Sequence, residues 1–177
     1  MLKKLMFSLL ILSSANVQAE GLYLSSSDVQ GQIAQAQVFN SFGCTGKNIS
    51  PQLNWSGAPQ GTKSFAITAY DPDAPTGSGW WHWVVFNIDP SVNEIKTAAS
   101  LKQMPKGAIE SITSYGTAGF GGACPPEGDK PHRYIFTVIA LDTDKIEQNA
   151  QARPELIGYF INSHALAKAS IMAYFGR

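Results

Sequence analysis

Apolar residues in this chain fall in short runs broken by Gly and Pro, which suits many short strands joined by turns. The run SFAITAY over Ser64–Tyr70 is rich in β-branched and aromatic residues and predicts a strand. HWVVFNI over His82–Ile88 predicts a second, and YIFTVIAL over Tyr134–Leu141 a third. The third is apolar on both faces, which predicts a central strand covered on both sides. Weaker strands are expected at Gln37–Phe39, Ile109–Thr113 and Ser170–Phe175, and Asn54-Trp55-Ser56-Gly57 reads as a strand end running into a turn. One helix is expected from Pro154, a residue suited to a first helical position, with Leu156, Tyr159, Phe160, Ser163 and Ala167 at helical spacing. A second short helix is expected near Asn93–Leu101. The pattern as a whole predicts a mainly β domain with one or two helices packed on the sheet.

At 177 residues the length fits one domain, and no internal repeat or low-complexity linker divides it. Residues 1–19 read differently from the rest. Lys3 and Lys4 give a basic start, Leu5–Leu12 is almost purely apolar, and Val17-Gln18-Ala19 has the form of a signal peptidase site. The expectation is a signal peptide cleaved after Ala19, a single domain over 20–177, and a periplasmic address. The apolar run is shorter than the roughly 20 residues a bilayer span needs, so no transmembrane segment is expected. A formal net charge of zero, with 13 basic and 13 acidic residues, lacks the basic surplus that nucleic-acid binding needs.

Export gives the two cysteines a meaning. Cys44 and Cys124 both sit in Gly-rich segments, and an oxidising compartment favours a bridge between them; the alternative is two free buried thiols. Such a bridge closes a loop of about 80 residues and stabilises by about 4–5 kcal/mol in the chain-entropy view.

Three stretches concentrate candidate chemistry. In Asp71-Pro72-Asp73-Ala74-Pro75 two prolines stiffen the exit of a predicted strand and hold the carboxylates in place. Asp71 reads as a site residue, whereas Asp73 divides evenly between a site and an Asx-type turn. In Gly77-Ser78-Gly79-Trp80-Trp81-His82-Trp83, three of the four tryptophans surround one histidine, as core packing or as the wall of a pocket. In the third, Gly116, Gly119, Gly121 and Gly122 lead into Cys124-Pro125-Pro126 and then His132-Arg133-Tyr134. Backbone N–H groups of such a loop suit anions, and strand alternation puts His132 and Tyr134 on one face and Arg133 on the other. His164 lies in the predicted helix without such company and reads as structural or exposed.

These motifs, with Gly46-x-Asn48-Ile49-Ser50-Pro51-x-Leu53-x-Trp55 and Gly61-Thr62-Lys63-Ser64-Phe65-Ala66, resemble the phosphatidylethanolamine-binding protein family. That family includes the Raf kinase inhibitor proteins. The resemblance runs from about Ser25 to Phe175 and is strongest to the bacterial YbhB/YbcL type, in particular its exported YbcL-like members. It implies a large antiparallel sheet with a smaller sheet on one side and helices on the other. It also implies a small pocket for phosphate or a phospholipid head group. Motif by motif, the pocket falls on Asp71, His82 and His132, with Trp80, Gly122, Pro125 and Tyr134 as neighbours. Two departures stand out: Gly77-Ser78-Gly79 replaces a tyrosine of the animal members, and Thr113-Ser114-Tyr115-Gly116 replaces an Asn-Asp-Phe-Gly.

The function expected is a non-enzymatic, cofactor-free binding protein that holds a small anionic ligand and modulates a protein partner. A homodimer is implied by the bacterial relatives. The alternative is an enzyme acting on a phosphoester, since two His and one Asp make the ligand set of a facial metal triad or an acid–base pair. Imidazolium donors at His82 and His132 would bind phosphate less well above about pH 7. Asp71 would repel a fully ionised phosphate and favour a protonated oxygen or an accompanying amine.

Overall fold

The computed structural model describes residues 21–177, so the expected signal peptide lies outside the described residues. In chain order the elements are β1 (Tyr23–Ser25), β2 (Leu53–Ser56), β3 (Ser64–Asp71), β4 (Trp80–Ile88), β5 (Glu94–Ile95), β6 (Ile109–Glu110), β7 (His132–Leu141), α1 (Pro154–His164) and β8 (Ala165–Phe175). Five strands form an antiparallel sheet in the order β6-β4-β3-β7-β8, and three form a small sheet in the order β1-β2-β5. The fold is mainly β, with two antiparallel sheets and one helix among the described residues.

Alternation along the long strands makes two cores. Phe65, Ile67 and Ala69 of β3, Trp83 and Val85 of β4, and Tyr134, Phe136 and Val138 of β7 face the small sheet, where Leu24, Leu53, Trp55 and Ile95 meet them. Ala66, Val84, Phe86, Ile139 and Leu141 face the other way and are covered by Ile157 and Ile161 of α1. β7 has neighbours on both edges, but only its second half, Val138–Leu141, is continuously buried. Its first half is half-open on the α1 side, because an 11-residue helix reaches only part of the sheet.

Two helical expectations are corrected. The helix buries Pro154, Ile157 and Ile161, whereas Leu156 and Tyr159 are 44% and 66% exposed. Apolar residues surround this helix on several sides, so spacing alone does not identify the stripe that meets the sheet. Ala167 belongs to β8, which begins directly after the helix and is longer than the expected Ser170–Phe175. Over Asn93–Leu101 there is a two-residue strand and a chain of turns, with Ala98 and Leu101 at φ of 63° and 57°. Ile95 pairs with Leu53, and Ala98 N–H bonds the carbonyl of Ser50, so long-range partners displace helical ones. Gln37–Phe39 is reduced to a bridge between Val38 and Ala123.

The turns after β5 are held by a buried carboxylate. Glu110 accepts from Trp83 Nε1 at 2.7 Å, Ser100 Oγ at 2.5 Å and the Leu101 N–H at 2.7 Å, and Ser100 Oγ in turn accepts from the Phe120 N–H. Strand β4, the turns and the Gly-rich loop therefore share one anchor. Two straps cross from the Phe42–Cys44 loop to the Cys124–Pro125 segment. One is the Cys44–Cys124 disulfide, as expected. The other is Arg177, whose Nε donates to the Pro125 carbonyl at 2.7 Å and whose Nη1 donates to the Gly43 carbonyl at 3.1 Å.

Removing the Glu110 carboxylate strands a buried indole N–H and frees the turns. Glu110→Ala should destabilise by roughly 2–4 kcal/mol in chemical denaturation, more than Lys145→Ala in an exposed ion pair, which should cost under about 1 kcal/mol. Equal costs would show that the anchor carries no special weight.

Candidate functional site

The pocket lies where β3 ends and where β4 and β7 begin, at one end of the large sheet. Between β3 and β4 the register steps from Ala69↔Trp83 to Tyr70↔Trp81, so His82 is the extra residue of a β-bulge. Trp80 and His82 line the pocket, while Trp81 packs toward Gly158 of α1. Gly79 is required at the start of β4: its φ is +68°, and a Cβ there would stand 2.2 Å from the Tyr70 hydroxyl oxygen.

Asp71 and His132 are each 2% exposed, and His132 Nδ1 bonds Asp71 Oδ2 at 2.7 Å. The other oxygen of Asp71 accepts the Asp73 N–H at 2.8 Å, an Asx turn that fixes the proline-rich loop. Asp73 points away and clamps Arg133 through Nε and Nη2, both at 2.8 Å, and through the Arg133 N–H at 2.9 Å. The guanidinium holds the Asp73 carboxyl well below the usual carboxylate range. Alternation on β7 thus separates His132 and Tyr134, both buried, from the exposed Arg133. On the far side of His132, Nε2 lies 3.5 Å from Asp129 Oδ2.

His82 is 4% exposed, and its Nδ1–H donates to the Gly121 carbonyl at 2.8 Å. Burial lowers its pKa from 6.5 to about 4, outweighing the hydrogen bond to Gly121 and the charge of Asp71. His82 is therefore neutral near pH 7, and the expected imidazolium donor at this position is corrected. Its Nε2 has no hydrogen-bond partner, and neither do Trp80 Nε1 and the Tyr134 hydroxyl. All three residues line a cavity of about 220 Å³ together with Asp71, His132 and Pro125. Burial, with the charge of Asp71, pushes the phenols of Tyr134 and Tyr115 well above 10.

Gly122 is not in the lining. A Cβ there would meet the Gln37 carbonyl at 2.3 Å, and its N–H donates to Asn48 Oδ1 at 2.7 Å. The neighbouring N–H groups of Phe120, Gly121 and Ala123 donate to Ser100 Oγ, the His82 carbonyl and the Gln37 carbonyl. The expectation that this loop offers backbone donors to an anion is therefore corrected at these positions: its glycines permit close packing of backbone on backbone. Sequence reasoning passed over Tyr115, Phe42 and Asp129. Tyr115 stacks on Phe39 with ring centroids 4.2 Å apart, meets His82 and Trp80 edge-on, and donates to the Gly122 carbonyl at 2.8 Å. Its signal was available, since it keeps an aromatic residue in the segment that replaces Asn-Asp-Phe-Gly. The exposed ring of Phe42 forms the rim. His164 pairs with Asp142 at 2.8 Å, exposed and in a different part of the fold. Among the described residues no three His, Cys, Asp or Glu side chains stand where they could hold a metal ion together.

A histidine kept neutral by folding makes stability depend on pH. The folded pKa is lowered, so the contribution is fully present above about 6.5 and lost as pH falls through about 4. Thermal melts should fall across that window, and His82→Gln should flatten this limb; parallel curves for the two proteins would contradict the assignment.

The family model for phosphatidylethanolamine-binding protein matches residues 27–176. YbcL of Escherichia coli is 48% identical over 161 residues, 88% of each chain. YbhB of the same organism is 47% identical over 156 residues, 86% of this chain and 98% of its own. The crystal structure of E. coli YbcL superposes with a TM-score of 0.86 at 46% identity, covering 88% of this chain and 98% of that one. A phosphatidylethanolamine-binding protein homologue from Chlamydia trachomatis superposes at 0.74 with 28% identity, covering 89% and 98%. The chain belongs to the phosphatidylethanolamine-binding protein family.

Proposed function

We propose that this chain is an exported binding protein, not an enzyme, and that its pocket at Asp71, His82 and His132 takes a small phosphate-type anion, as free phosphate or a phospholipid head group. The observation that carries the reading is the trio of buried, unpartnered polar atoms on one cavity wall, His82 Nε2, Trp80 Nε1 and the Tyr134 hydroxyl. Buried polar groups without partners are rare, and a ligand supplies what the chain does not. Occupancy of the pocket would present a different surface to a protein partner at the rim formed by Phe42, Pro75 and Pro126. The enzymatic alternative finds less support. Asp71 and His132 are bonded to each other, and the three side chains are not gathered as a metal triad. Export is supported by the order of basic, apolar and small residues before Glu20.

Native mass spectrometry of the protein taken from the periplasm should show a chain beginning at Glu20, with one disulfide, as a homodimer carrying a phosphate-type adduct. A chain that keeps its first nineteen residues, or stoichiometric zinc or iron in place of an anion, would overturn the corresponding part of the reading. Phosphate titration followed by NMR should be weakened roughly tenfold to a hundredfold by His132→Ala, at about 1.4 kcal/mol per decade, and left unchanged by His164→Ala. Because His132→Ala leaves the buried Asp71 carboxylate unpaired, it should also cost roughly 3 kcal/mol of stability. Lowered stability with unaltered phosphate binding would mean that His132 only supports the loop.

A further inference from the structure

We propose that the pocket selects phosphate groups that still carry a proton: the ligand's P–O–H donates to Nε2 of His82, and sulfate and fully ionised phosphate are turned away. This rests on the reading that the pocket takes a phosphate-type anion, and it narrows the head groups to phosphate monoesters, because a phosphodiester carries no P–O–H near neutral pH.

A carbonyl oxygen only accepts, so the 2.8 Å contact to Gly121 fixes the proton of the neutral imidazole on Nδ1. Nε2 is then a bare lone pair, buried and without a partner. Trp80 Nε1 is a donor only, and the Tyr134 hydroxyl can donate. The wall therefore asks a ligand for acceptor oxygens and also for one donor. A monoanionic phosphate monoester has both, whereas sulfate and the monoester's dianion present only lone pairs to a lone pair. Each oxygen of Asp71 already accepts one bond, from His132 Nδ1 and from the Asp73 N–H. Its charge adds to the penalty for a second negative charge on the ligand.

The groups facing His82 leave this intact. They are Asp71 from β3, His132 and Tyr134 from β7, and Tyr115 from the Gly-rich segment, with Asp129 reaching His132 from beyond. Both phenols stay protonated, and burial, which lowers the His82 pKa to about 4, keeps that ring neutral near pH 7. Discrimination of this kind follows from a buried polar atom that only one of two near-isosteric ligands can satisfy.

The test uses the wild-type mature protein and reads the Trp80 indole N–H by NMR at constant ionic strength, between about pH 5.5 and 8.5. The probes are a phosphate monoester, whose second ionisation lies near about pH 6, an alkyl phosphonate, whose second ionisation lies higher, and sulfate. Affinity should fall about tenfold per pH unit above each ligand's own second ionisation, so the midpoint moves with the ligand. At about pH 5.5 sulfate should bind roughly tenfold to a hundredfold more weakly than the monoester. A single midpoint shared by the monoester and the phosphonate would mean that a protein group titrates. That result, or sulfate binding as tightly as phosphate, overturns the proposal and leaves the anion pocket standing. No indole response to any phosphorus ligand removes the pocket reading and this proposal together.

Discussion

The hydrogen bond between His132 and Asp71 is the contact on which the rest of this site depends. It joins the last residue of β3 to the first of β7, and both partners are almost wholly buried. Taking a carboxylate and an imidazole out of water is expensive unless each finds a partner. Each does: one carboxylate oxygen takes the imidazole, and the other takes the backbone of the proline-rich loop. The loop is thereby stiffened from both sides, by its prolines and by the Asx turn. The bidentate pair of Asp73 with Arg133 repeats the β3–β7 connection on the outer face, where solvent screens it and its contribution is small.

A second constraint follows from where the Gly-rich loop sends its backbone. Its N–H groups point inward, to Asn48, Gln37, Ser100 and the His82 carbonyl, and its Gly121 carbonyl fixes the His82 ring. The loop acts on the pocket through His82 and Tyr115, whose positions it sets, and the polar atoms left free on the pocket wall are on side chains. This explains why the wall is sparse in donors and why the tautomer of one histidine matters so much.

Much of the fold was legible because the long strands are rich in β-branched and aromatic residues, as suits strands with an apolar layer on each face. The expected Ser64–Tyr70 and His82–Ile88 fall within the observed Ser64–Asp71 and Trp80–Ile88. The buried face of α1 was not legible, since Leu156 and Tyr159 fit helical spacing as well as Ile157 and Ile161 do. Nor was Asn93–Leu101, where Ile95 and Ala99 keep a helical spacing while the backbone bonds to Ser50 and Asp28 bonds the Thr97 hydroxyl. At the site, Asp71, His82, His132 and Trp80 were legible by residue type and by their places at strand ends. The burial that keeps His82 neutral, and the turn that brings Asp129 back toward His132, arise from packing that a linear sequence does not display.

The two straps across the pocket rim differ in what can undo them. The Cys44–Cys124 bridge answers to thiols and is indifferent to solvent composition. The Arg177 guanidinium, bonded to the Gly43 and Pro125 carbonyls, answers to water, salt and denaturant and is indifferent to redox state. A reductant alone leaves Arg177 spanning the gap, and a chaotrope alone leaves the sulfurs joined. The two straps therefore close the same gap by chemistries that share no common reagent.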